Sequence, residues 1–544
     1  MAKRDRDPTR TLERRRAWLI GWALFCCYAY FFYVGGNWNV ESHYAQTFAL
    51  AEHGRLIIDD YPFLPRGGGD AAFYRGHFYS DKFIGPSLVS APIYRLLRET
   101  ATASELSSPL DIGIALRLTN ILTNALPSAL LGALLYLFLA ELGLTAQLRV
   151  WLVFAYGLGT LAFPYSTVFF GHQLAAVAVA GAFMLLWRQR AEWSHRRAIA
   201  AGALAGFAAI SDAMGVFVAG LLGVYAIWLA VAFAASSRQE NLTPLPPLRA
   251  RGFDYAQPRP TPSAVEGRRG GDDNIGGKPG KGGVRFVARL AAFALPALAV
   301  FSIQLIANWI SFGSPLAFPH LYHAQAAFRA RHAAGLFGIH LPQLYPLYQL
   351  AFGPWRGLFY GSPVLLFALP GFFLMARPGT EGLPAGRVEG ASPASRLRPE
   401  AILIAATWLL VLLLSSGYEN WTTGSAYGPR YQIVVLPLLV IAAAPAAARW
   451  PLIFKLLASI SISFMSIVTA QTPFIPEDLR SPLAAAIAEF ARGNLQHGNL
   501  GLFIWLQGTI SLAPLIVVVA AFLLALRMSG GDGPETRQPA RRRH

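Results

Sequence analysis

The stretch MGVFVAGLLGVYAIWLAVAFAA (214–235) contains no charged residue. A helix rising about 1.5 Å per residue over that length crosses a hydrocarbon core of about 30 Å. No water reaches the backbone there, so its polar groups must be satisfied within the segment, as a helix does. Comparable runs, rich in Leu, Ala, Val, Ile and Phe, lie at 17–36, 112–140, 147–163, 166–188, 198–213, 286–312, 357–376, 400–416, 430–448, 451–470 and 501–527. They are too long and too uniform for the alternating strands of an outer-membrane barrel. The whole chain agrees: of 544 residues, 54% are hydrophobic and only 14% charged, and mean hydropathy is +0.41. A soluble domain carries about 25% charged residues. The expected fold class is an all-α polytopic membrane protein with about twelve transmembrane helices.

The net charge of +17 and pI near 10.1 would suggest nucleic acid in a soluble protein. Here the basic residues cluster between apolar runs, as orientation signals and contacts to anionic lipid, with no nucleic acid implied. The opening MAKRDRDPTRTLERRR (1–16) places the first segment in the cytoplasm, ahead of a retained signal anchor. Alternation then places WRQRAEWSHRR (187–197), the loop 236–285, the basic segment 376–400 and the tail 528–544 on the same side. The expected location is the cell's inner (plasma) membrane, with both termini cytoplasmic. This divides the chain into a basic tail (1–16), an N-terminal membrane module (17–235) holding an outer loop at 37–111, an insertion (236–285), a C-terminal membrane module (286–527) and a second basic tail (528–544). The insertion is dense in Pro, Gly and charge and is expected to be disordered. Cys26 and Cys27 are adjacent in the first run, where they point to different faces and cannot bridge within it.

The polar residues that could do chemistry gather on the outer side. Glu41 and His43 follow the first span, and Tyr44, Phe48 and Ala51 share one face of a helix expected to lie in the interface. Asp59, Asp60, Asp70 and Asp81 follow, with Lys82 beside Asp81 and turns at GGGD and GPS. Partly buried carboxylates serve as general bases because burial raises their pKa; they also cap helices and pair with Arg55, Arg66, Arg75 and Lys82. Tyr165 and His172 lie in the outer turn GLGTLAFPYSTVFFGHQLAAV (157–177). Arg430 opens a span among Tyr418, Trp421, Tyr427 and Tyr431; such an arginine either snorkels at an aromatic belt or forks a lipid phosphate. Loop 313–356 adds His320, His323 and Arg356 among aromatics, a composition suited to sugars. No cofactor motif stands out. Histidines near carboxylates could hold a divalent metal ion, although no HExxH spacing occurs.

These features resemble the GT-C superfamily of integral-membrane glycosyltransferases, most closely the branch of protein O-mannosyltransferases and the lipid A aminoarabinose transferase. The resemblance rests on VESHYA (40–45), the long first outer loop, YSDKFIGPS (79–87), GLGTLAFPYS (157–166) and WTTGSAYGPRY (421–431), and covers most of the chain outside 236–285. It implies transfer of a sugar from a polyprenyl-phosphate donor to a glycan, lipid or protein acceptor on the outer face, with inversion at the anomeric carbon. It places Glu41 as base on the acceptor hydroxyl, with Asp60, Asp70 or Asp81 as substitutes. Lys82 and Arg430 would hold the donor phosphate, and His43, Tyr79, His172, Tyr165, Trp421 and Tyr427 would shape the pocket. Two positions depart from the pattern: Val40 replaces the first acid of the family's pair, and His172 stands where relatives often carry a second-loop acid. The competing readings are a transporter or lipid flippase, favoured by Asp212 near the end of a span, and a non-catalytic relative.

Overall fold

The computed structural model describes residues 8–33, 36–61, 69–103, 109–240, 281–377 and 397–529. The chain is mostly helical, with two small antiparallel two-stranded sheets. Helical segments stand at every position expected for a span. Among the described residues, seven helices are long and apolar enough to cross a membrane: Gly113–Glu141, Ala213–Ala234, Gly283–Phe312, Arg398–Gly417, Arg430–Arg449, Pro451–Gln471 and Gly508–Met528. Only 6% of the apolar window of Gly508–Met528 is buried within the protein, and Ile516, Val517 and Leu524 face outward. A continuous surface of this kind suits lipid chains rather than water.

Several expectations are corrected. The first helix spans Pro8–Tyr30 rather than 17–36, so part of the expected basic tail is helical. Its charged turn is held in place: Glu13 pairs with Arg149 at 2.7 Å, and Arg16 donates to the Ser529 carbonyl at 3.1 Å. Beyond Tyr30 the chain straightens, and Phe31–Phe32 pairs with Gly498–Asn499. The run 357–376 is broken into Leu358–Gly361, Pro363–Phe367 and Ala368–Ala376. Pro363 has no N–H to continue the helical ladder, and the next amide, Val364 N–H, donates to the Ser461 hydroxyl at 3.0 Å. The remaining parts of the two tails and of the insertion, at 1–7, 241–280 and 530–544, lie outside the described residues.

The helix expected to lie in the interface spans Trp38–His53, with ten of its residues buried. Its polar residues find partners: the Ser42 and Ser80 hydroxyls are 2.8 Å apart, and those of Thr47 and Ser90 are 2.7 Å apart. The helix Gly85–Ala103 packs along it. A π-turn at Ile121–Ala125 interrupts the helix before Leu126–Glu141. Near it, Asn120 donates to the Thr167 carbonyl at 2.9 Å and Asn124 to that of Val168 at 2.8 Å. These bonds pin the turn between Ala146–Gly159 and Gly171–Trp187. Helix His195–Ser211 lies directly on Lys281–Phe312 because Gly202 and Gly206, one turn apart, present no side chain to the opposing backbone.

Candidate functional site

The strands Ala71–Tyr74 and His77–Ser80 form a hairpin whose last pair is Ala71 with Ser80. Its two-residue turn has Arg75 at φ 51° and Gly76 at φ 87°, the positive pair that suits a tight hairpin. One step beyond the last pair, Asp70 and Asp81 stand opposite each other. Lys82 Nζ lies between them, 2.7 Å from Asp70 and 3.0 Å from Asp81. Asp81 is 2% exposed. Burial opposes the charge on Lys82, but Asp70 and Asp81 outweigh it and hold the ammonium above its ordinary pKa.

Other segments converge on this cluster. His320 Nε2 is 3.7 Å from Asp81, and its ring is 4.7 Å from that of His332. His332 Nδ1 meets the Tyr418 hydroxyl at 3.0 Å. His323 is drawn in by a bridge to Ala72, with the Ala324 amide donating to the Ala71 carbonyl at 2.8 Å. Burial, followed by Lys82 and His172, pushes His43 down to about 3. Burial depresses His320 and His332 as well, His332 to about 4. These imidazoles are therefore neutral at pH 7, able to hydrogen-bond without adding charge.

Asp81, Lys82, His43, His172, Asp212 and Arg430 line one cavity of about 550 Å³. The same lining includes the apolar side chains of Val216, Phe217, Phe301, Leu305, Leu316 and Phe337. Phe217, Leu316 and Phe337 are also exposed on the protein surface, so the greasy wall runs out to the edge of the bundle. Arg430 begins the turn Arg430–Val435 just after Gly428, at φ 66°. Its guanidinium stacks over Phe170 at 5.6 Å and Tyr431 at 5.5 Å, and its Nε has no hydrogen-bond partner among the described residues.

The expected site residues thus separate into groups. His43, Asp81, Lys82, His172 and Arg430 line the cavity, and Asp70 joins through Lys82. Glu41 lies half-buried beside Asp70 without lining the cavity; burial and then Asp70 raise its carboxyl, against a backbone bond at Asn37. Asp60 is exposed and paired with Arg55. Tyr79 packs against Phe312. Tyr165 is fully buried and donates to the Tyr427 carbonyl at 2.9 Å, so both belong to the core. Trp421 packs against Trp355.

Asp70, Asp81 and His323 bring one donor atom each to within 4.8 Å of one another. Two carboxylates and an imidazole suit a divalent cation, although Lys82 already balances this pair of acids.

No model of a known protein family matches the chain, and no curated protein matches it.

Among the cavity residues that the sequence reading did not assign to the site is Asp212, which engages His172 Nδ1. Forty residues separate them, and no local pattern links them. A signal for the Asp70–Asp81 pairing was present: AAFY and HFYS flank an Arg-Gly turn.

Proposed function

We propose that this protein is a glycosyltransferase of the GT-C type, taking a sugar from a polyprenyl-phosphate donor to a glycan, lipid or protein acceptor on the outer face of the inner (plasma) membrane. On this reading the chain crosses the membrane about twelve times, with both termini cytoplasmic and the cavity at the outer edge of the bilayer.

The observation that carries the reading is the cavity's mixed lining, cationic and apolar. Lys82 and Arg430 line it together with Phe217, Phe301, Leu305, Leu316 and Phe337. A compact ammonium and a planar guanidinium together suit a phosphate. An apolar wall that reaches the lipid-facing surface suits an isoprenoid chain. When the bond between the anomeric carbon and the phosphate oxygen breaks, charge accumulates on the phosphate, and the two cations stabilise that transition state. Asp70 and Asp81 keep Lys82 charged and in place before the donor arrives. The resemblance assigns the base to Glu41, but Glu41 does not line the cavity.

The test is direct. Protein in lipid nanodiscs is supplied with a panel of polyprenyl-phosphate sugars, and release of polyprenyl phosphate is followed with and without acceptor. Acceptor-dependent release is expected, reduced about a hundredfold or more in Lys82→Ala and Arg430→Gln. Full turnover in both variants would remove this site. Ion-gradient-dependent uptake without sugar transfer would replace the reading with a transporter.

A further inference from the structure

One feature of the cavity is absent from the donor-binding reading: the imidazole of His172, backed by Asp212. The helix Gly171–Trp187 opens with His172 in its first turn. Asp212 sits in the one-residue break between His195–Ser211 and Ala213–Glu240. Its carboxylate takes His172 Nδ1 on one oxygen and the Met214 amide at 2.7 Å on the other, so it is oriented from two sides. The break is rigid. Gly171 and Gly85 both press against Ser211, and a methyl group at either position would overlap Ser211 or Ile210.

With Nδ1 engaged, the other ring nitrogen is left for work. His172 Nε2 is buried and has no hydrogen-bond partner among the described residues, and the ring lines the cavity. His43 Nδ1, in the same wall, is also buried without a partner. A buried polar atom left unpaired costs on the order of 1–3 kcal/mol, and the rings that carry these two both line the cavity, which marks where a polar ligand belongs. The carboxylates nearby are otherwise committed. Asp70 and Asp81 hold Lys82, and Glu41 does not line the cavity.

The geometry points to His172 as the proton acceptor for the acceptor hydroxyl, with Asp212 as its positioning residue. This rests on the glycosyltransferase reading above. The hydroxyl oxygen forms a bond to the anomeric carbon while the bond from that carbon to the phosphate oxygen breaks. The bonding pair leaves with the polyprenyl phosphate, toward Lys82 and Arg430. The hydroxyl proton passes to His172 Nε2, and Asp212 stabilises the imidazolium. An aspartate behind a histidine fixes the tautomer in which Nε2 is the acceptor. Other titratable and charged groups that line the cavity with it are His43, Asp81, Lys82, His320, Tyr418 and Arg430, and the rings of Tyr431 and Tyr165 lie 5.9 and 6.3 Å from its own.

The experiment uses the full chain in nanodiscs, with the sugar donor and acceptor on which the wild type turns over, and undecaprenyl phosphate as the binding probe. His172→Gln is expected to lower kcat by about 10² to 10⁴ while KM for the donor and affinity for undecaprenyl phosphate stay within about threefold. Asp212→Asn keeps His172 in place and should also lower kcat, which covers the case in which His172→Gln does not fold. A folded variant of either kind with wild-type kcat overturns the proposal, whatever Glu41→Gln does. Absence of any turnover by the wild type overturns the glycosyltransferase reading and this base with it.

Discussion

His43 is a buried imidazole whose titration the site has moved far from ordinary. In the folded chain it is held down to about 3, from an ordinary 6.5. Between these two values the unfolded chain takes up a proton that the folded chain does not. Its contribution is therefore complete above roughly pH 6.5 and is lost as pH falls toward about 3, by up to about 1.4 kcal/mol per pH unit. Thermal unfolding midpoints measured at pH 7.5 and pH 5 should show this loss in the wild type and less of it in His43→Asn. Equal losses in the two proteins would mean that His43 carries none of the acid sensitivity. Lys82 has the opposite logic: two carboxylates keep its charge despite burial, so the cation stays available to a phosphate across the physiological range.

At the scale of elements, the site depends on how closely two helices approach. His195–Ser211 delivers Asp212, and Lys281–Phe312 delivers Phe301, Gln304 and Leu305 to the cavity. They meet at Gly202 and Gly206, where a Cβ on Gly206 would stand 2.5 Å from the Ala297 carbonyl oxygen. A larger residue must push the helices apart. Gly206→Leu is expected to destabilise the protein by about 1–3 kcal/mol and to widen the cavity. A thermal unfolding midpoint in detergent indistinguishable from wild type would contradict this packing. The hairpin acts differently, through register: pairing Ala71 with Ser80 brings Asp70 and Asp81 together around Lys82. A slip of one residue would turn one of the acids away.

At the scale of the whole molecule, the cavity is formed by chain segments far apart in sequence, meeting where several helices begin or end. Gly171–Trp187, Ala213–Glu240 and the turn Arg430–Val435 begin there, whereas His195–Ser211 and Lys281–Phe312 end there. Consecutive helices alternate direction, so all these ends belong to one side of the bundle. The proposed orientation puts that side outside. Cysteine scanning checks it: Arg75→Cys, at the exposed hairpin tip, should react with a membrane-impermeant maleimide in intact cells, and Arg196→Cys only after permeabilisation. The native Cys27 is buried and Cys26 partly so, which limits background. The reverse labelling pattern would invert the topology and end the outer-face assignment.

The helical class of this protein and most of its long apolar helices were legible from sequence because an uncharged run long enough to span a bilayer is a local property. Arg430 was legible as a charge that opens an apolar run, and the Asp81–Lys82 pair as neighbouring opposite charges in the long outer loop. Other features needed the tertiary structure. The segment 37–53 forms a buried helix because Ser80 and Ser90 satisfy Ser42 and Thr47, and no periodicity along 37–53 contains those partners. Tyr165, Tyr427 and Trp421 read as pocket residues, yet packing turns them into the core or against Trp355. His172 and Asp212 meet only because Gly85 and Gly171 let two chain segments close on Ser211. Spans and turns follow from neighbours along the chain, whereas the contact between His172 and Asp212 is decided by which helices pack together.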